Sequence, residues 1–134
     1  MGERGSVTVW LLGLCVCLLF LGGLSVDLWR VMNARRELVS LADAAAIAGA
    51  AAVDEGAFRR DGTVALDPVA ARAAIDRRLA GRLPRDARAH TAVAARRVTV
   101  ELSRQVPVSL LGVLMPGEHL RVRVRAAVEP QRRP

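Results

Sequence analysis

The chain opens with a long apolar run that continues, without a break, into a second helical pattern. Residues 7–26 (VTVWLLGLCVCLLFLGGLSV) contain no charge, and about 20 apolar residues are enough to cross the ~30 Å hydrocarbon core of a membrane. Residues 27–53 lack proline and are rich in Ala, with Leu, Arg and one Glu besides, and all four residue types favour helix. The pattern predicts a single helix over 7–53, a transmembrane span followed by a stalk.

The next stretch predicts a loop and one helix. Gly56 suits the end of the long helix, because glycine is common at helix C-termini. Residues 58–67 (FRRDGTVALD) resemble a loop. Asp67 followed by Pro68 is a helix start, with Asp as the N-cap and Pro in the first turn. We expect this helix to run to about Leu83, before Pro84.

Two later segments alternate apolar and polar residues, which indicates strands with one buried face. The first covers residues 97–103, with residues 93–95 as an extension, and the second covers residues 120–128. We expect them to pair antiparallel, and we expect one or two helical turns between them within residues 107–117. The fold class is therefore α+β. The long helix carries a small head, residues 54–134, with one helix and an antiparallel β-hairpin or small sheet.

The positive charge lies in the head. All 20 basic residues are Arg, which suggests a GC-rich bacterial genome. Residues 1–53 have no net charge, whereas residues 54–134 carry the whole +7. The simplest interpretation is a solvated basic surface; alternatives are attraction to anionic lipid or binding of polysaccharide or DNA. Arg121, Arg123 and Arg125 share one strand face. Phe58 is the only aromatic residue of the head, which argues against nucleic acid.

Nothing in the sequence indicates catalysis. His90 and His119 are isolated, and no metal-ligand spacing, phosphate loop or nucleophile motif is present. Cys15 and Cys17 lie in the span, two positions apart on a helix, so they face different directions and cannot bridge each other. We expect no enzyme activity, cofactor, metal or small-molecule substrate.

The apolar run is longer than the apolar region of a secretory signal peptide, which is usually ~7–15 residues, and this favours a retained anchor over a secreted domain cleaved near Ser25. Trp10 and Trp29 bracket the run, as interfacial tryptophans do.

The arginines that flank the span bear on its orientation in the membrane. Only Arg4 precedes the span, while Arg30, Arg35 and Arg36 follow it, and that count alone would place the head in the cytoplasm.

The stalk presents a seam that suits close helix packing, since small residues let backbones approach each other. Two interpretations stay open: contact with another subunit, and contact with the chain's own head. Its residues recur at three- and four-residue steps and are Val31, Leu38, Ala42, Ala45, Gly49 and Ala52.

Three charged residues are candidates for polar contacts. Asp27, at the end of the span, either marks the membrane edge or meets a partner in the membrane, and Arg30 at i+3 can pair with it. Asp43 interrupts an Ala-rich face and should either meet water or find an Arg.

The first fifty residues resemble the TadE/TadG-like proteins of tight-adherence (Flp) pilus systems, most closely the TadG-like N-terminal segment. The residues that carry the resemblance are Arg4-Gly5-Ser6, Asp27 with Arg30, Ala34-Arg35-Arg36-Glu37-Leu38 and the run 42–50 (ADAAAIAGA).

The resemblance implies a single-pass inner-membrane or pilus-associated protein. Residues 1–6 would be cytoplasmic and the head extracytoplasmic, against the Arg count. Other pilus or secretion subunits would contact the N-terminal helix. The resemblance makes Gly5 a candidate prepilin cleavage site, but Trp10 occupies the position where pilins commonly have Glu. That departure favours an accessory, minor pilin-like role. The alternative is a membrane-tethered basic module that recruits an anionic partner.

Overall fold

The computed structural model describes residues 4–109 and 120–129. Residues 110–117, where helical turns were predicted, lie outside this range. The α+β class is confirmed, with three helices followed by three strands. In chain order the elements are α1 (Arg4–Ala50), α2 (Glu55–Asp61), α3 (Pro68–Leu79), β1 (Ala87–Ala94), β2 (Arg97–Val106) and β3 (Leu120–Val128).

Helix α1 is one continuous element of 47 residues, which corresponds to roughly 70 Å at ~1.5 Å per residue. It includes both the apolar run and the stalk, as predicted, and it ends at Ala50, a few residues before the predicted end. The Ala52 N–H donates to the Gly49 carbonyl at 3.2 Å, a three-residue step that tightens and closes the last turn.

The predicted loop over residues 58–67 is wrong in its first four residues, because a second helix, α2, covers Glu55–Asp61. The Asp54 carboxylate accepts hydrogen bonds from the backbone N–H groups of Gly56 and Ala57, at 2.9 and 3.0 Å. It therefore caps the N-terminus of α2. Gly62, with φ of 65°, closes the helix in the left-handed region. The head thus contains two short helices instead of one.

Helix α3 begins as the sequence predicts. The Asp67 carboxylate accepts from the N–H groups of Val69 and Ala70 at 2.9 and 3.1 Å, and Pro68 occupies the first turn. The helix ends at Leu79, earlier than the predicted Leu83, and Gly81 follows with φ of 72°. Its buried residues recur every four positions and are Ala71, Ile75 and Leu79.

The three strands form an antiparallel sheet in the order β1-β2-β3. Strands β2 and β3 pair as predicted, from Val98 opposite Val128 to Val106 opposite Leu120. Residues 93–94 do not extend β2. They end a separate strand, β1, which pairs along its whole length with β2. Strand β1 was not predicted because its alternation is weak: Val93 is its only apolar residue larger than alanine.

One face of the sheet packs on the stalk half of α1, and α3 packs beside it. Strand β2 runs antiparallel to α1. Its start lies near Gly49, and the segment after its end reaches back to Asp27. The head is therefore folded along the stalk and not beyond it. The buried core that joins them includes Leu38, Ala42, Ala45, Ile75, Val98, Val100 and Leu102.

Candidate functional site: the membrane span and stalk of α1

Residues 6–26 of α1 are exposed, apart from the half-buried Gly23. The apolar window that qualifies this helix as a membrane span has none of its residues buried inside the structure. Large side chains such as Leu11 and Leu19 are 61% and 76% exposed. An uncovered apolar surface of this size needs lipid or protein around it. Trp10 and Trp29 are 79% and 68% exposed near the two ends of the span, where tryptophans would meet the membrane interfaces.

Asp27 joins the end of the span to the head. Its residue is only 1% exposed, and its carboxylate accepts a hydrogen bond from the Ser109 backbone N–H at 2.9 Å. Arg30 donates to the Ser109 hydroxyl at 2.9 Å and lies 3.9 Å from the Asp27 carboxylate. Asp27 and Arg30 were predicted as polar contact residues at the membrane edge. The structure brings them together on the segment that leaves β2.

The small-residue seam is covered by the chain's own head. Leu38, Ala42 and Ala45 are 0% exposed and belong to the core. A Cβ at Gly49 would lie 2.8 Å from Ile75 side-chain carbons and 3.1 Å from Val98 Cγ1. Val31 and Ala52, at the two ends of the seam, are half-buried. Of the two interpretations that the sequence left open, packing within the chain is the one that the structure shows, and this seam is closed to another subunit.

Asp43 lies on the opposite side of the stalk and is exposed. Of the two outcomes expected for it, the structure shows contact with solvent; no arginine of the described residues pairs with it. It lines an open groove of about 710 Å³ together with Met32, Arg36, Val39 and Ile47.

The arginines of β3 point away from the core. Arg121, Arg123 and Arg125 are all exposed, whereas Val122 and Ala126, on the other face of the strand, are buried. Arg123 pairs with Glu101 of the neighbouring strand at 3.2 Å. The three arginines therefore form an exposed basic surface on β3, and Glu101 balances part of its positive charge.

A three-residue ion cluster ties the head to the stalk, and sequence reasoning missed it. Arg104 lies 3.2 Å from Glu37 of α1 and 2.8 Å from Asp86, just before β1. The hydrogen bond from the Arg104 side chain lowers the pKa of the Asp86 carboxyl below its ordinary value of 3.8. In the alternating pattern of β2, Arg104 falls at a position where an apolar residue is expected. A charged residue at such a position indicates an ionic partner on the buried side of the sheet, so the sequence did contain a signal for this cluster.

Within residues 4–109 and 120–129, no three His, Cys, Asp or Glu residues come together as metal ligands. His90 is exposed on β1, and His119 lies outside the described residues. Cys15 and Cys17 are free and exposed on the span. Gly5 is in the first turn and a half of α1, and cleavage after it stays a prediction.

Comparison with known proteins gives one finding. Residues 5–52 match a family model described as Putative Flp pilus-assembly TadE/G-like. The match spans nearly all of α1 and ends before the head. Comparison with curated proteins and with solved structures finds no match. The resemblance seen in the N-terminal segment is therefore confirmed: the chain carries a TadE/G-like segment, which supports involvement in a Flp pilus assembly system and membrane anchoring.

Proposed function

We propose that this protein is a membrane-anchored structural or accessory component, similar to a minor pilin, of a Flp pilus or a related secretion apparatus. One observation carries the proposal. The matched segment is a single helix whose first half is uncovered and apolar, and whose second half holds the head. Such a helix can stay in lipid or pack against other helices while it presents the head at a fixed distance from the membrane. The role requires no catalysis.

The topology belongs to the same proposal. Residues 1–6 lie in the cytoplasm, residues 7–26 cross the membrane, and the head lies outside the cytoplasm. Alkaline phosphatase fused after the head should be active in intact cells, because that enzyme needs an oxidising compartment. A cytoplasmic head, the orientation that the Arg count favours, would leave the fusion inactive. The mass of the mature chain distinguishes an intact protein from one cut after Gly5 or near Ser25.

The pilus role is tested by deletion and complementation in the host strain. Loss of the gene should lower the number of Flp pili per cell, and the wild-type chain should restore it. Affinity purification of the tagged chain from membranes should recover pilus-assembly subunits. Unchanged pilus number in the deletion strain, together with no recovered assembly subunit, would contradict the proposal.

The second candidate, a tethered basic module that recruits an anionic partner, is supported by the exposed arginines of β3. The triple variant Arg121→Ala, Arg123→Ala, Arg125→Ala separates the two. If that variant folds and restores pili as well as wild type does, the arginine surface is not needed for the function. If it folds and fails, the basic module is favoured.

Substitutions in the buried seam cannot distinguish the two candidate functions. Enlarging Ala45 or Gly49 would displace the chain's own sheet and α3, because both residues face the core. If such a variant no longer bound a partner, the loss would reflect damage to the head and not the removal of an assembly contact. Assembly contacts must be tested on the surfaces of α1 that the head leaves open.

A further inference from the structure

The stalk has a second, exposed face that follows a coiled-coil spacing. Trp29, Met32, Arg36, Val39 and Asp43 succeed one another at steps of three, four, three and four residues, the a and d pattern of a helix that packs against another helix. Trp29, Met32 and Val39 are 68%, 46% and 37% exposed. We call these five residues the stalk face.

The stalk face lies away from the head, which covers the side of α1 that carries Leu38, Ala42 and Ala45. It borders the 710 Å³ groove, whose lining is mainly apolar and reaches Ile47, itself 61% exposed. The face is continuous with the uncovered span. A helix that lies along it would therefore also run beside the span in the membrane, and it would be parallel to α1 if it is anchored in the same orientation.

The charges on the face restrict what that helix can be. Arg36 and Asp43 occupy the same position in successive heptads, the position that faces its counterpart in a parallel pair. Two copies of this chain in register would place Arg36 against Arg36 and Asp43 against Asp43. Neither residue has an ion-pair partner among the described residues that could neutralise it. Like charges in such layers disfavour the symmetric pair.

We propose that the stalk face is a docking surface for a different membrane-anchored helix, parallel to α1, with an acidic residue opposite Arg36 and a basic residue opposite Asp43. Apolar residues opposite Trp29, Met32 and Val39 complete the contact. The inference rests on the proposed function, since it names the kind of partner that the TadE/G-like helix takes. Because Arg36 precedes Asp43, the chain pairs with a helix whose charges come in the reverse order. It does not pair in register with a second copy of itself.

A charge-inverted form of this same chain serves as the probe. It carries Arg36→Glu and Asp43→Arg, so its charges are in the order required of the partner. Both the probe and the wild-type-charge chain carry Val39→Cys as the cross-linking reporter, with Cys15→Ser and Cys17→Ser to remove the native thiols. The two full-length chains are co-expressed in membranes with tags of different size, and disulfide formation is measured after mild oxidation.

The mixed dimer should exceed either homodimer by about tenfold, because two charged layers change from repulsive to attractive. The matched control inverts Arg72 and Asp76, an exposed Arg and Asp on α3, to Glu and Arg. With the wild-type-charge chain, that control chain should give about twice as much mixed dimer as wild-type-charge homodimer, the ratio that random pairing of two equally abundant chains produces.

Two outcomes would overturn the inference. One is a wild-type-charge homodimer at least half as abundant as the mixed dimer, because pairing without any charge preference gives that ratio. The other is cross-linking between a Met32→Cys chain and a Val39→Cys chain of wild-type charge, which would show copies shifted by seven residues with Arg36 against Asp43. Either result would leave the pilus role intact, because that role is decided by pilus number in the deletion strain.

Discussion

At the scale of single residues, Gly49 shows how closely the head lies against the stalk. The position is buried, and a methyl group there would already contact Ile75 at 2.8 Å. Its role could not be read from the sequence, since an Ala and Gly run is equally consistent with helix propensity, codon bias and close packing. The identity of the packing partner depends on the folded sheet, which the sequence pattern of α1 does not contain.

We expect Gly49→Leu to destabilise the head by roughly 3 kcal/mol, because overfilling a packed core costs about 1–3 kcal/mol and leucine adds several carbons. Thermal unfolding of the full chain in detergent, followed by scanning calorimetry, measures the effect. Gly22→Leu is the matched control, because a Cβ at Gly22 meets nothing within 4 Å. Equal melting of the two variants would contradict the packing described for Gly49.

A second prediction at this scale concerns the pH dependence of the Arg104 cluster. The pKa of Asp86 is lowered in the folded chain by the Arg104 side chain. A depressed carboxyl pKa contributes stability that is present above the unfolded value of 3.8 and is lost as the pH falls through the folded value. Carboxyl chemical shifts should give an Asp86 pKa below 3.8 in wild type.

The Arg104→Gln variant is the comparison for that titration. Its Asp86 pKa should return toward 3.8, since the guanidinium that hydrogen bonds to the carboxylate is gone. If the Asp86 titration is the same in both chains, the ion pair does not form in solution.

At the scale of elements, the strong sequence patterns predicted their helices and strands correctly, and the weaker patterns did not. The continuous α1, the start of α3 at Asp67 and the pairing of β2 with β3 followed from apolar runs, a capping signal and strict alternation. Helix α2 was missed because Gly56 was interpreted as the end of α1, although its N–H donates to the Asp54 carboxylate that caps α2. Strand β1 was missed because its own sequence pattern is weak, and its pairing with β2 is what holds it as a strand.

The cap at Asp67 gives a test at this scale. Asp67→Ala should lower the free energy of unfolding by about 1 kcal/mol, since it leaves the N–H groups of Val69 and Ala70 without their acceptor. Asp76→Ala, at an exposed position inside the same helix, is the control and should change stability by less than about 0.5 kcal/mol. Chemical denaturation of both variants supplies the comparison. A smaller loss at Asp67 than at Asp76 would argue against the cap.

At the scale of the whole molecule, the sequence predicted a rod with a head, and the structure adds how the two are arranged. The candidate contact residues divide between two sides of α1. The seam faces the head, and Asp43 lies on the open side. That division could not be foreseen, because both sides are rich in alanine and only the position of the sheet distinguishes them.

Membrane anchoring is tested at this scale with Leu14→Arg. An arginine at the centre of a spanning helix costs about 2.5–3.5 kcal/mol, so a large part of the variant should leave the membrane fraction on alkaline extraction. Val69→Arg places the same change on the head, where Val69 is 78% exposed, and should stay with the membrane as wild type does. Equal extraction of both variants would mean that the apolar half of α1 is not a lipid anchor.

The return of β2 along α1 has a mechanical consequence. Contacts of α1 with β2 and with the segment that follows β2 extend from Asp27 to Gly49, about 33 Å along the helix axis. A tensile load applied along that axis would act on these contacts in shear, all at once, and would not peel them one after another. The head is therefore attached in the geometry that best resists a pull on the anchor, and rupture should require far more force along the axis than across it.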